Sequence, residues 1–262
     1  MKAGFIQFAP QFGDADKTIQ HLENLFIKAT SADIIVLPEL ANSGYNFDSK
    51  AQAFQYSEKI EKSRFVEFLI TKAKQLNTNI ITGFNERADG EIFNTALLIC
   101  PEGIKGKYRK MHLFMNEKDF FSKGDLGFPV FDIGICRLGI LVCFDYIFSE
   151  AWRILGLKGA DLVCHPANLV TPYAQKVIPS QSLINRFYII TADRIGTENE
   201  LTFTGQSIIS DPEGDILYQA SVNSEEVKIL ALDVNLARNK MITPRNHVFD
   251  DRLPEQYKEL GC

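Results

Sequence analysis

Ala32-Asp33-Ile34-Ile35-Val36-Leu37-Pro38 recurs later in the chain as Ala160-Asp161-Leu162-Val163-Cys164-His165-Pro166, each copy following an amphipathic stretch and ending in proline. A short apolar run closed by proline has the length of a buried strand, and strands buried on both faces need helices to cover them. So short a match also arises by chance. If the repeat is real, two similar halves face each other, and the residues beyond the two prolines, Glu39 and Asn168, come to line one central site.

Before the first copy, Lys2 to Phe8 has the pattern of a strand, and Ile19, Leu22, Phe26 and Ala29 fall at helical spacing between the two. Phe65, Phe68, Leu69, Ala73 and Leu76 mark a second amphipathic helix, followed by strands at Ile80 to Phe84 and Thr95 to Cys100 and a turn at Pro101 to Gly103. A GKYRK segment then leads into an aromatic loop. Leu138 to Phe144 reads as a buried strand and Ser149 to Gly159 as a helix. Beyond the second copy come a helical stretch around Ser182 to Phe187 and strands at Tyr188 to Ala192, Gln206 to Ser210 and Val227 to Val234, with a turn at Asp211 to Gly214. Alternating apolar strands and amphipathic helices predict an α/β fold in layers. No low-complexity segment or linker divides the 262 residues, so a single domain spanning 1–262 is expected.

Composition narrows the class of function. With 45% hydrophobic residues the chain can bury a sizeable core, and a net charge of -5 spread without long runs disfavours nucleic acid and anionic membranes as partners. No stretch approaches the roughly 18 apolar residues of a membrane span, and the start lacks the apolar region of a signal peptide, so a soluble, cytoplasmic protein is expected. The five cysteines are odd in number and show no CxxC spacing, against a disulfide framework or a zinc site. Cys100, Cys136 and Cys164 sit in apolar runs as small buried hydrophobes, and Cys262 is expected to be exposed.

Three residues stand out chemically. Glu39 follows a buried strand and a proline, where a side chain faces a cleft and can act as a base; a solvated loop glutamate has the same pattern. Cys143 ends an apolar run just before a helix start, an elbow at which a thiol meets substrate while backbone N–H groups face a developing oxyanion; a structural cysteine fits there too. Lys110 stands among aromatics in GKYRKMHLF. It belongs either to a solvated basic turn or to a buried site, where only a nearby carboxylate would keep it charged.

Taken together, LPEL (37–40), GKYRKMHLF (106–114) and GILVCFDYIFSE (139–150) resemble the motifs of the nitrilase superfamily of carbon-nitrogen hydrolases. The resemblance extends from the opening GFIQFAP through HPAN to NLARNK and is strongest to the branch containing a hyperthermophilic archaeal nitrilase. It implies a four-layer αββα sandwich of two mainly six-stranded sheets, paired into a homodimer or dimer-based oligomer, with the tail 235–262 contacting the partner. It further implies that Glu39, Lys110 and Cys143 are catalytic. Glu117 maps as a second active-site glutamate, though a surface glutamate is the alternative. Tyr45, Phe114, Phe144, Tyr146 and Asn168 are implied to line the substrate pocket, and no metal or other cofactor is implied.

The expected reaction is cleavage of a small amide to a carboxylic acid and ammonia through a cysteine thioester. A free thiol is only about 3% thiolate at neutral pH, so Cys143 needs a base. The alternatives are hydrolysis of small aliphatic nitriles by the same residues, a cysteine-histidine hydrolase using His112 or His165, and a non-catalytic member that binds a small molecule or serves as a scaffold.

Overall fold

Both copies of the repeat become strands near the middle of a sheet. The computed structural model describes residues 1–261; the exposure expected of Cys262 lies outside them. In chain order the first half runs β1 (Lys2–Gln7), α1 (Ala15–Phe26), β2 (Ile34–Val36), α2 (Lys50–Gln55), α3 (Arg64–Leu76), β3 (Asn79–Ala88), β4 (Glu91–Cys100) and β5 (Gly103–Arg109). The second half begins with α4 (Glu117–Phe120), β6 (Val130–Asp132), β7 (Arg137–Ile140), α5 (Ser149–Leu157), β8 (Leu162–Ala167), α6 (Ala174–Asn185) and β9 (Tyr188–Asp193). It continues with a small hairpin of β10 (Thr197–Glu198) and β11 (Leu201–Thr202), then β12 (Ile208–Ser210), β13 (Ile216–Gln219) and β14 (Glu226–Ala231). The chain closes with α7 (Val234–Arg238) and a hairpin of β15 (Met241–Thr243) and β16 (Asn246–His247).

Two six-stranded sheets form, in the orders β14-β1-β2-β3-β4-β5 and β6-β7-β8-β9-β12-β13. Each has a parallel trio at its centre, β1-β2-β3 or β7-β8-β9, joined by crossover helices, with two further antiparallel strands beyond one side and one antiparallel strand beyond the other. The two halves therefore share one topology, and the repeated heptapeptide is the central strand of each trio.

The opening Ala-Asp has a physical reason. Asp33 Oδ2 accepts from the backbone N–H of Lys2 at 2.6 Å, and Asp161 Oδ2 accepts from that of Arg137 at 2.9 Å, so each aspartate staples the first residue of the neighbouring strand. The main chain repeats the arrangement, with Asp33 N–H to Lys2 O at 2.7 Å and Asp161 N–H to Arg137 O at 2.8 Å.

Alternation along β2 divides its side chains between two cores. Ile34 and Val36 pack with Phe5 and Ile81 into the core between the sheets, while Ile35 joins Phe65 and Leu69 of α3 and Leu22 of α1 on the outer face. Helix α1 starts where Asp14 caps Lys17 N–H, and α3 where Ser63 caps Val66 N–H. Trp152 and Leu155 of α5 and Ile178 of α6 cover the second sheet. The result is the layered α/β sandwich that the sequence predicts.

Several boundaries differ from expectation. The strand expected over 138–144 stops at Ile140, because the chain leaves the sheet to form a 3-10 turn from Cys143 to Ile147. GKYRK, which the sequence pattern assigns to no element, forms the end of β5 as far as Arg109, its register held by pairing with β4. The strand expected to reach Val234 ends at Ala231, after which the Asp233 side chain caps α7. The helix around Ser182 begins earlier, at Ala174, and runs through Pro179. Residues of the tail fold beside α5, where a Cβ added at Gly156 would lie 2.9 Å from the Phe249 ring and Arg153 lies over that ring.

Candidate active site

Glu39 reaches the site because β3 carries a glycine beneath it. Beyond β2 the backbone stays on β3, with Gly83 N–H donating to Pro38 O at 3.0 Å and Ala41 N–H to Gly83 O at 3.1 Å. A Cβ on residue 83 would sit 2.3 Å from Glu39 Cα and from Leu40 N, closer than atoms can approach. Leu40 then takes a φ of 47°, a left-handed conformation costly for a non-glycine residue, which turns the chain away after Glu39. Gly83→Ala is accordingly expected to shift Glu39 and lower kcat/KM by about tenfold or more while the protein still folds, since displacements near 1 Å are costly to catalysis. Steady-state kinetics beside circular dichroism checks it, and unchanged kinetics would remove this glycine from the account.

Glu39, Lys110 and Glu117 form one buried ion cluster. Lys110 Nζ donates to Glu39 Oε1 at 2.7 Å and to Glu117 Oε1 at 2.8 Å, and the lysine is 1% exposed, which excludes a solvated basic turn. Burial works against its charge, but Glu117 and Glu39 outweigh burial and hold its pKa well above the ordinary lysine value. Glu39 is wholly buried, and its Oε1 also accepts from Asn94 Nδ2 at 2.7 Å, while Oε2 takes no hydrogen bond among the described residues. Asn94 ties the site together a second time, its carbonyl accepting from Lys110 N–H at 2.8 Å. Glu117 Oε1 accepts from Tyr45 OH at 2.7 Å and its Oε2 from Phe114 N–H at 3.3 Å. Burial, reinforced by Glu39 and opposed by Lys110, raises the Glu117 pKa.

Cys143 heads its 3-10 turn with a φ of 45°, a strained elbow between strand and helix of the kind found at functional sites. The turn is fixed by Asp145, which accepts from Val142 N–H at 2.9 Å and from Tyr108 OH at 2.8 Å, and which binds His112 Nδ1 at 2.7 Å. One buried carboxylate thus joins the Cys143 turn to the segment that carries Lys110. Burial chiefly, with Glu39 and Glu117 beside it, pushes the Cys143 thiol well up, while Lys110 and the Asn168 N–H pull it down. At rest it is a neutral thiol.

Neither histidine is placed as its base. His165 Nε2 meets the carbonyl oxygen of Cys143 at 2.9 Å and its Nδ1 meets Thr191 Oγ1 at 3.1 Å, and burial lowers its pKa, leaving a neutral core histidine. His112 is stacked on Phe148 at 3.6 Å and held by Asp145.

The second copy of the repeat delivers Asn168, whose Nδ2 donates to the carbonyl of Glu39 at 2.9 Å, so the residues beyond the two prolines do meet. Phe114, Phe144, Tyr146 and Asn168 line a narrow space of about 10 Å³ over Cys143. It adjoins a wider one of about 90 Å³, lined among others by Tyr45, Phe114 and Glu117. Buried acceptors at the site, Glu39 Oε2, Asn94 Oδ1 and Asn168 Oδ1, have no donor among the described residues.

Sequence reasoning missed Asn94, Asp145 and Glu198. Asn94 and Thr95 interrupt an otherwise apolar strand, and that interruption was the available signal. Asp145 stood inside the cysteine motif, but its partners Tyr108 and His112 are far away in sequence. Glu198 pairs with Arg194 and accepts from the N–H groups of Tyr45 and Asn46 at 2.9 and 2.8 Å, so it holds the loop that presents Tyr45 to Glu117; nothing local marks it.

The family model described as carbon-nitrogen hydrolase matches residues 2–240. A nitrilase of Pyrococcus abyssi (strain GE5 / Orsay) is 42% identical over 259 residues, covering 98% of this chain and 99% of that protein. An (R)-stereoselective amidase of Pseudomonas sp is 30% identical over 241 residues, covering 90% of this chain and 86% of that one. Among solved structures, a carbon-nitrogen hydrolase from Helicobacter pylori G27 superposes with a TM-score of 0.89 at 27% identity, over 99% of this chain and 97% of the other.

Proposed function

The chain belongs to the carbon-nitrogen hydrolase family, and from that premise we propose that it cleaves the C–N bond of a small amide, with Cys143 as nucleophile, Glu39 as base and Lys110 as electrostatic stabiliser. One observation carries this reading. Lys110 and Asn94 occupy Glu39 Oε1, leaving Oε2 as an unpaired basic atom in the same buried site as a neutral thiol.

Glu39 Oε2 takes the thiol proton as Cys143 Sγ bonds to the substrate carbon, and the carbonyl π electrons move to oxygen. The N–H of Lys110 not used by the two glutamates, with the Phe144 N–H, holds that oxyanion; such donors are typically worth about 3 to 4 kcal/mol each. Collapse breaks the C–N bond, Glu39 returns the proton to nitrogen, and ammonia leaves a thioester. Water then adds with Glu39 again as base, the C–S bond breaks, and carboxylic acid and thiol are restored. Glu117, shared between Lys110 and Tyr45, keeps the ammonium aimed at the oxyanion.

The unpaired acceptors favour an amide, whose NH₂ brings two donors, over a nitrile, which brings none. The likeness to the Pyrococcus abyssi nitrilase favours nitriles as a second reading. Ammonia release from matched amides and nitriles of two to five carbons decides between them. Amides are expected to win by about tenfold or more in kcat/KM, with activity surviving EDTA and lost on iodoacetamide treatment. A tenfold preference for nitriles, about 1.4 kcal/mol at the transition state, reverses the ranking.

The whole chain, 1–262, is proposed to act as one domain in the cytoplasm, and no helix among the described residues is long and apolar enough to cross a membrane. A homodimer is supported by a groove where the exposed Ile147, Leu157 and Ile184 meet Arg252 and Tyr257 of the tail. Light scattering at micromolar concentration is expected to give the mass of two chains or a multiple of it. A fully active monomer would contradict the pairing.

A further inference from the structure

Resting on the amide reading above, we infer that the substrate's acyl substituent is an uncharged, apolar chain or small ring, seated in the wider space beside Cys143. The space directly over Cys143, about 10 Å³, has room for about one water, so it admits the leaving nitrogen or the attacking water and no acyl chain. The adjoining space of about 90 Å³ shares Phe114 and Val170 with it, so the two lie side by side with Phe114 and Val170 between them. On the measure by which about 10 Å³ holds one water, the wider space has room for several methylenes.

The wall of this wider space decides the chemistry. Phe47, Phe120, Phe121 and Leu201 supply apolar surface, and no Lys, Arg or His lines it to receive an acyl carboxylate. Glu117 is the one acidic side chain on the wall, and both its oxygens are already engaged, Oε1 by Lys110 and Tyr45 and Oε2 by the Phe114 N–H. A carboxylate-bearing acyl group would therefore bury its charge here without a counterion, and an ammonium would have to share Glu117 with Lys110, Tyr45 and the Phe114 N–H, so both are costly. Ammonia leaving from a primary amide needs only the narrow space, so the wider one falls to the acyl group. Met115, 65% exposed on the rim with a φ of 44°, borders the entrance.

The test is a kcat/KM series from acetamide to hexanamide, with the four-carbon amide also made with a terminal carboxylate or ammonium. The expected result is a rise of about fourfold for each added methylene across the series. Both charged analogues should fall at least about a hundredfold below the neutral parent. Leu201→Asp should raise the ammonium-bearing analogue relative to butanamide by about tenfold. A flat series, a charged analogue equal to its parent, or a gain seen only when the chain is placed on nitrogen, as in N-propylacetamide, would overturn the inference.

Binding separates this from the function itself. Thermal shift of the Cys143→Ala protein with butanamide against its ammonium analogue reads occupancy without turnover. Stabilisation by butanamide alone, with no ammonia from any amide in the active chain, would keep the subsite and sink the reaction. Stabilisation by neither, or by the charged analogue, would sink the subsite even if amides are hydrolysed.

Discussion

Cys143→Ala and Glu39→Gln are each expected to lower turnover by at least about a hundredfold in a protein that still folds. A positioned base contributes about 10² to 10⁴, and loss of the nucleophile removes the covalent route altogether. Glu39→Gln is the sharper test because so little else changes. The glutamine carbonyl can still accept from Lys110 and Asn94 as Oε1 does, and Glu117 remains as countercharge to the lysine, so the cluster keeps its shape. What disappears is the unpaired basic oxygen, replaced by an NH₂ that accepts no proton. Because burial holds the Cys143 thiol neutral, the same substitution should also slow alkylation of Cys143 by iodoacetamide. Turnover, circular dichroism and peptide mapping of the label decide it. Near-normal turnover in a folded Glu39→Gln protein would remove Glu39 as the base.

The parts of this architecture that were legible in the sequence are those written in local pattern. Ala32 to Pro38 and Ala160 to Pro166 announced two equivalent strands, and the helices between them carried apolar residues at regular spacing, so the layered α/β form followed. The ends of elements were less legible, because they are set by partners remote in sequence. The strand through Leu138 stops early because the buried carboxylate of Asp145 takes the Val142 N–H into a turn, although the apolar run continues to Phe144. The candidate site shows the same division. Glu39, Lys110 and Cys143 stand in short motifs, but whether Lys110 lay in solvent depended on Glu117 and on Glu39 from another strand. Asn94 carries a signal only once its β4 neighbours are seen to be wholly buried. Glu198 carries none, since it acts on Tyr45 from the opposite half of the chain.

Lys110→Ala is expected to do what the other two substitutions do not, costing stability as well as turnover. It removes the one cation between two buried carboxylates, and breaking a buried pair from one side typically costs about 3 to 5 kcal/mol. The loss should depend on pH in a definite direction. Glu117 already has its pKa raised by burial, with Lys110 present to oppose the shift, and without the lysine it should rise further. A carboxyl that binds its proton more tightly folded than unfolded stabilises the fold below its unfolded pKa, and that stability is lost as pH climbs through the folded value. The gap in melting temperature between Lys110→Ala and the parent should therefore be widest in mild alkali and narrow as pH falls and Glu117 takes up its proton. Lys110→Arg should recover part of the stability, because the charge remains. Its turnover should stay at least about a hundredfold down, because a planar guanidinium cannot place a compact third donor at the oxyanion while serving both glutamates. A melting difference that does not change with pH would show that the two carboxylates do not depend on the lysine for their charge, and turnover within tenfold of the parent in either variant would take Lys110 out of the reaction.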